Sequence, residues 1–312
     1  MLLCGDLGGT RARLALFSES GPLRPQKLKI YPSKDFRGVG HLIRIYLEET
    51  GARPEAAVLS LAGPVLGQEV HLTNLDWQVS VANLRRAFGF KKVYLLNDLE
   101  AAAYGIPKLR SRDLEILQRG RPPFGKVSAI VAPGTGLGEA ILVRTKKFIL
   151  ALPTEGGHTE FPADNEEEWH IYQECKRRFG HASLERILSG PGLALLHEIF
   201  SGGEKKSPEE VVDLARKGYP PAEKAVRTLV RILGREAGNL ALKSLALGGV
   251  YLAGGLSPTL LPWLKEEFLP AFSDKGRLRD LLLRIPVKVV LHPYPALFGA
   301  AEFYRHPSPL RV

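Results

Sequence analysis

The sequence predicts an α/β protein built from two related halves. Strand-like and helix-like segments alternate through its first third. A strand, glycine turn, strand unit at 3–16 recurs at 128–143, with Gly-Gly-Thr in the first turn and Gly-Thr-Gly in the second. The 312 residues, 45% apolar and 24% charged, are enough for two soluble domains. Such self-similarity implies two halves that face each other, with a ligand held between two glycine hairpins.

Taken in order, residues 2–18 read as a hairpin, and 42–47 as a short helical pattern ending near Gly51. "AAVLSLAGPV" (56–65) is a buried strand running into a Gly-Pro turn. "SVANLRRAFGF" (80–90) is a helix with Ser80 as N-cap and Gly89 as its stop. "KKVYLLND" (91–98) is a second buried strand, passing directly into a helix closed by Gly105 and Pro107. The charged, turn-rich stretch 110–125 marks a domain boundary. Beyond it lie the strand pair 126–143, a strand-like "FILALP" and a helix at 165–180 with a polar cap, acids first, bases last and a closing glycine. Ser183 caps a further helix. Ser207 and Pro208 open the next, and a long amphipathic helix covers about 221–245. "GGVYLAGGLSP" (248–258) is a strand, a Gly-Gly turn and a helix opened by Ser257-Pro258; a strand at 287–292 and a helix around 295–305 finish the chain.

Composition excludes several classes. Two cysteines, Cys4 and Cys175, allow no disulfide framework and no cysteine-cluster zinc site, and suit a reducing cytosol. No signal peptide or membrane span is expected, which points to a cytoplasmic protein. The net charge of +10 is spread over short Lys and Arg knots without interleaved aromatics, so it reads as a basic surface favouring anionic ligands and not as a nucleic-acid platform. One Met, five Asn and five Gln beside 25 Arg and 23 Pro fit a heat-adapted source.

The chemistry lies in the turns. "GTGLGE" (134–139) is not a dinucleotide fingerprint, because a strand follows it, and neither glycine turn is a P-loop. Two hairpin tips without Cβ atoms let an anion approach main-chain N–H groups closely. Asp6 beside the first would repel phosphate unless a divalent metal stands between, and this combination points to a metal nucleotide. Gly254-Gly255 is either a flat floor for a purine or a tight strand-to-helix turn. Asp98, at the carboxyl end of a buried strand, is either a general base or a helix N-cap. Glu155 and His158 in "EGGHTEF" suit recognition of a polyhydroxyl ligand, with a polar loop as the plain alternative. Glu185 sits in the first turn of the helix assigned to Ser183.

"GDLGGTRARLALF", "LLNDLEAAAYGIP", "APGTGLGEAIL", "EGGHTEF", "LSGPGLALLHEIF", "GGVYLAGGLSP" and "FSDKGR" stand in an order and spacing that resemble the bacterial ATP-dependent glucokinases, from residue 4 to about 304. The resemblance implies a two-domain sugar-kinase/actin-like, ribonuclease H-like fold. It has mixed sheets flanked by helices and an active site in the interdomain cleft. The small domain would take 1–108 plus 299–312, and the large domain 109–298. It further implies that Gly5, Asp6, Leu7, Gly8, Gly9 and Thr10 form the first phosphate hairpin, with Asp6 meeting Mg²⁺ indirectly through Mg-ATP. Gly134, Thr135 and Gly136 would form the second hairpin, and Gly254 and Gly255 the adenosine turn. Asp98 would be the catalytic base, and Asn97, Asp98, Glu155, His158 and Glu185 would hold glucose. The cofactors implied are ATP and Mg²⁺, the assembly a homodimer.

Thr154 stands where the family more often has a small residue, Pro133 stiffens the second hairpin, and the segment at 200–206 looks short. The related repressor/kinase branch usually carries a cysteine-rich zinc motif, which this chain lacks, and a DNA-binding repressor is not expected, since the phosphate hairpin starts at Gly5 and leaves no room for a preceding helix-turn-helix. The expected reaction transfers the ATP γ-phosphoryl group to the 6-hydroxyl of glucose. Sugar binding would close the domains and exclude water. A kinase for mannose, glucosamine or N-acetylglucosamine, or a sugar sensor with little turnover, remains the alternative.

Overall fold

A computed structural model describes residues 1–72, 75–121 and 125–307. By its internal contacts the chain divides into two compact units. The first holds Met1–Arg110, Arg144–Pro153 and the segment from His292 onward; the second holds Ser111–Val143 and Thr154–Leu291. Residues 308–312, assigned above to the small domain, and 122–124, within the expected boundary stretch, lie outside the described residues.

The first unit is built on a five-stranded sheet in the order β3-β2-β1-β4-β7. Strands β1 (Leu2–Leu7) and β2 (Arg11–Phe17) form the expected hairpin, with Asp6 opposite Arg13 and Leu7 opposite Ala12. Strand β3 (Gln26–Pro32) adds to β2. On the other side of β1, β4 (Ala56–Leu61) and β7 (Lys92–Asn97) run parallel to it. Every residue of β4 is buried, as a mostly apolar central parallel strand requires, and its one polar side chain, Ser60, donates to the Gly5 carbonyl. A small pair, β5 (Glu69–Leu72) and β6 (Trp77–Ser80), lies apart. Helices α1 (Val39–Thr50) and α2 (Val81–Phe88) end on Gly51 and Gly89, both in the left-handed region that lets the last carbonyls be capped.

The second unit repeats the plan. In its sheet, ordered β11-β10-β9-β12-β13-β8, the hairpin β9 (Val127–Pro133) and β10 (Leu137–Arg144) corresponds to β1 and β2. Strands β12 (Val250–Leu252) and β13 (Val287–Val290) lie parallel to β9 as β4 and β7 do to β1. Strand β11 (Ile149–Thr154) stands at one end of this strand order, although by internal contacts its residues up to Pro153 count with the first unit and only Thr154 with the second. At the other edge stands a strand not expected from the sequence: the turn-rich stretch 110–125, at whose start the first unit gives way to the second, contains β8 (Leu114–Gln118), antiparallel to β13. Its five residues carry two polar ones and are only half-buried, the pattern of a short edge strand.

Helix α4 (Glu166–Phe179) has the signals read from sequence: Asn165 accepts the Glu168 N–H, and Gly180 closes the last turn. Helices α5 (Gly190–Phe200), α6 (Pro208–Arg216) and α7 (Pro220–Ser244) follow. Helix α7 buries Val226, Leu229, Leu233 and Ala237 in the core of this unit. Two expectations need correction. Ser183 caps no helix, because its main chain bridges to Glu160 and only a single 3₁₀ turn, Leu184–Arg186, follows. Ser257 lies inside the short helix Leu256–Thr259, where its hydroxyl donates back to the Ala253 carbonyl.

Candidate active site

In the first unit, β7 runs buried through Val93, Leu95 and Leu96 and delivers Asn97 and Asp98 to its carboxyl end. Asn97, not Asp98, caps helix α3 (Asp98–Gly105). Its Oδ1 accepts the N–H groups of Leu99 at 2.9 Å and Glu100 at 3.0 Å, and its Nδ2 donates to the Gly63 carbonyl at 3.0 Å. Glu100 reaches back to the Asn97 N–H, completing a capping box. Asp98 is thus the half-buried first residue of the helix, with Oδ1 accepting the Leu99 N–H at 2.8 Å. Helix α3 is held by the last helix, Pro295–Arg305: Gly105 and Gly299 sit at the crossing, where a Cβ on either would collide with the facing backbone. Arg305 ties that helix down by donating to the Gly21 and Ser18 carbonyls, each at 2.7 Å.

The first glycine hairpin divides by position. Gly5 and Leu7 are buried within β1, and a Cβ on Gly5 would come within 2.7 Å of Leu59, so Gly5 serves packing. Asp6 is ion-paired to Arg13 at 2.8 Å across the hairpin; burial raises its pKa, against the opposing pull of the Arg13 guanidinium. Gly8 donates to the Arg11 carbonyl, and Ser33 grips the turn through the Gly8 and Thr10 carbonyls at 2.7 and 3.0 Å. Gly9 and Thr10 remain exposed at the tip, beside a cavity of about 450 Å³ that Arg11, Tyr31 and Lys34 also line.

In the second unit, Glu155, His158 and Glu185 converge. His158 Nε2 lies 3.8 Å from Glu155 Oε2, and His158 Nδ1 lies 4.0 Å from Glu185 Oε1. Glu155 and His158 are exposed, at 65% and 61% of their side chains, while Glu185 is at 31%. Glu155 opens the turn Gly156–His158, which bears the imidazole, and the 3₁₀ turn Leu184–Arg186 bears Glu185. The Leu184 N–H joins them by donating to the Thr159 carbonyl at 3.0 Å. Glu185 Oε2 accepts the Leu137 N–H at 3.0 Å, which ties it to the second glycine hairpin. In that hairpin Gly134 donates to the Gly136 carbonyl and accepts from the Gly190 N–H, both at 2.8 Å, leaving Thr135 exposed at the tip. Gly254 adopts φ +74°, and a Cβ there would strike the Pro133 carbonyl, so the adenosine-turn candidate packs on the end of β9. Gly255 follows it, exposed.

Sequence reasoning missed three participants. Arg13 partners Asp6, and the strand register was the available signal. Thr154, read only as a departure, donates to the Glu139 carbonyl and accepts the Gly156 N–H, each at 3.2 Å. Glu139 is an acid 3% exposed within an apolar strand, and that incongruity was visible in "LGEAILV". Among the described residues no three His, Cys, Asp or Glu side chains gather as a metal site, and no helix is long and apolar enough to cross a membrane.

Each unit thus carries the same hairpin-plus-parallel sheet, and the second adds an acid–imidazole row bonded to a glycine turn. The crystal structure of glucokinase from an Antarctic psychrotroph superposes with a TM-score of 0.86 at 32% identity, covering 96% of this chain and 97% of that one. A ROK family glucokinase from Streptomyces griseus, solved with glucose and AMPPNP, shares the fold at a TM-score of 0.68 and 19% identity, over 97% and 98% of the two chains. The chain belongs to the glucokinase family: that family's model matches residues 3–307, and the glucokinase of Citrobacter koseri is 37% identical over 97% of this chain and 96% of its own.

Proposed function

We propose that the chain transfers the γ-phosphoryl group of ATP to the 6-hydroxyl of D-glucose, giving glucose 6-phosphate and ADP. The observation that carries this reading is the Glu155–His158–Glu185 row, bonded through Leu137 to the second glycine hairpin. Groups suited to sugar hydroxyls and a bare main-chain turn thereby share one scaffold.

The residues fit a nucleotide held by its phosphates. Gly9 and Thr10 offer main chain beside Arg11 and Lys34. Gly134, Thr135 and Gly136 offer a second turn, and Gly254-Gly255 a surface for adenosine. Mg²⁺ needs few protein ligands when phosphates supply the rest. Asp6, already paired with Arg13, would meet it through Mg-ATP, where the ion would neutralise phosphate charge. Asp98 accepts the proton of the 6-hydroxyl as that oxygen attacks in line. A carboxylate suffices, because proton loss comes late in a loose transition state. Asn97, through its second amide hydrogen, Glu155, His158 and Glu185 hold the other hydroxyls. We further infer a cytoplasmic homodimer acting at the first step of glycolysis.

A coupled ADP-release assay over glucose, mannose, glucosamine and N-acetylglucosamine tests the reading. The highest kcat/KM belongs to glucose. Preference for another hexose would reassign the substrate, and glucose binding without ADP release would make the chain a sensor.

A further inference from the structure

Glu139 lies in the middle of β10, beneath the turn that carries Glu155 and His158. It touches that turn twice. Its carbonyl accepts the Thr154 hydroxyl, which in turn accepts the Gly156 N–H. Its Oε2 fills the space against Gly156 that a Cβ would need. The side chain is 3% exposed, and Oε1 has no hydrogen-bond partner.

The charged groups that bear on it come from α7. Glu236, also 3% exposed, has Oε2 bonded to the Asn239 amide at 3.0 Å and Oε1 3.7 Å from the Lys243 ammonium. Burial first, and the Glu236 charge second, push the Glu139 carboxyl up to about 7, with Lys243 opposing. A buried carboxylate that loses its proton must find water or a donor. The structure puts Gly156 against its Oε2, so the turn that bears Glu155 and His158 is a cover that can yield.

We propose that Glu139 is a positioning residue for sugar binding: its protonated carboxyl, seated under Gly156, holds the Glu155–His158 turn in the shape that takes a hexose, and deprotonation loosens that turn. The proposal rests on the reading that Glu155 and His158 hold glucose. Sugar binding and one proton on Glu139 are then linked, each favouring the other.

The test is calorimetric titration of the full chain with D-glucose, without nucleotide, between pH 6 and 8.5. The wild-type Kd rises with pH, approaching tenfold per pH unit above the midpoint. Gln cannot ionise, so the Kd of E139Q stays level to within about twofold over the same range, the linkage to this proton being gone. In E236Q the neighbouring negative charge is removed, Glu139 ionises more readily, and the rise begins at lower pH. A flat wild-type profile, or the same slope in E139Q as in wild type, overturns the proposal. Should E139Q not fold, an unmoved midpoint in E236Q overturns it. Absence of glucose binding in the wild type at every pH would instead refute the sugar-site reading on which it stands.

Discussion

The Glu185 carboxylate occupies the space into which a Cβ on Gly136 would project, and from there it accepts the Leu137 N–H at 3.0 Å. The glycine leaves the room in which the acid sits, and the acid is oriented because the turn donates to it. Gly136→Ala therefore displaces Glu185. The expected result is a glucose KM raised roughly tenfold, the cost of losing about one charge-assisted hydrogen bond. A KM within about twofold of wild type in steady-state kinetics would refute the coupling.

Asp98→Asn preserves the oxygen that accepts the Leu99 N–H, so helix α3 keeps its first turn. Glucose binding is retained, and turnover falls at least ~10²-fold, the scale of general base catalysis. Near-normal kcat would remove Asp98 from the role of base.

Glu155→Gln raises the KM for glucose far more than that for ATP, because the side chain belongs to the exposed acid–imidazole row and not to a glycine turn. Varying each substrate at saturation of the other separates the two. Equal effects on both would reject a sugar role for this residue.

The elevated Glu139 pKa has a consequence for stability that needs no ligand. The folded chain holds this proton more tightly than the unfolded chain, whose carboxyl keeps the ordinary value of 4.5. The contribution is complete below 4.5 and drains away as pH climbs through about 7. Its full extent is on the order of 3 kcal/mol. Denaturant unfolding at pH 4.5 and pH 8 should show wild type losing more stability over this interval than Glu139→Gln. Parallel losses in the two proteins would contradict it.

Helix α7 ends on Leu245 at φ 47° and ψ 54°, a left-handed position that strains any residue with a Cβ. The side chain is 59% exposed, so little apolar burial would be lost. Leu245→Gly stabilises the chain by about 0.5–1 kcal/mol, the relief of strain exceeding the added freedom of the unfolded chain. A lowered unfolding midpoint would count against this.

The repeated sheet was legible because glycine turns between apolar runs mark a hairpin wherever they stand, and β4 announced itself by a run interrupted only at Ser60. Strands β3 and β8 were not legible. Both are edges, β3 with two lysines and β8 with glutamate and glutamine, and edge strands lack the apolar signal that central ones need. Asn97 and Asp98 are both good caps, and local preference does not choose between them. The choice follows from where β7 ends and from the Gly63 carbonyl that takes the Asn97 amide. Ser183 looked like a cap until its backbone was committed to Glu160. The acids at 155 and 185 are visible as residues, but their approach to one imidazole depends on the Thr159–Leu184 link, which no local pattern encodes.

A single peptide bond separates Asn97, whose side chain caps helix α3, from Asp98, the one assigned to take the proton. Durability and chemistry thus share an address. A selection for heat resistance and a selection for speed would both act on this dipeptide, and a lineage could not relax one demand there without disturbing the other.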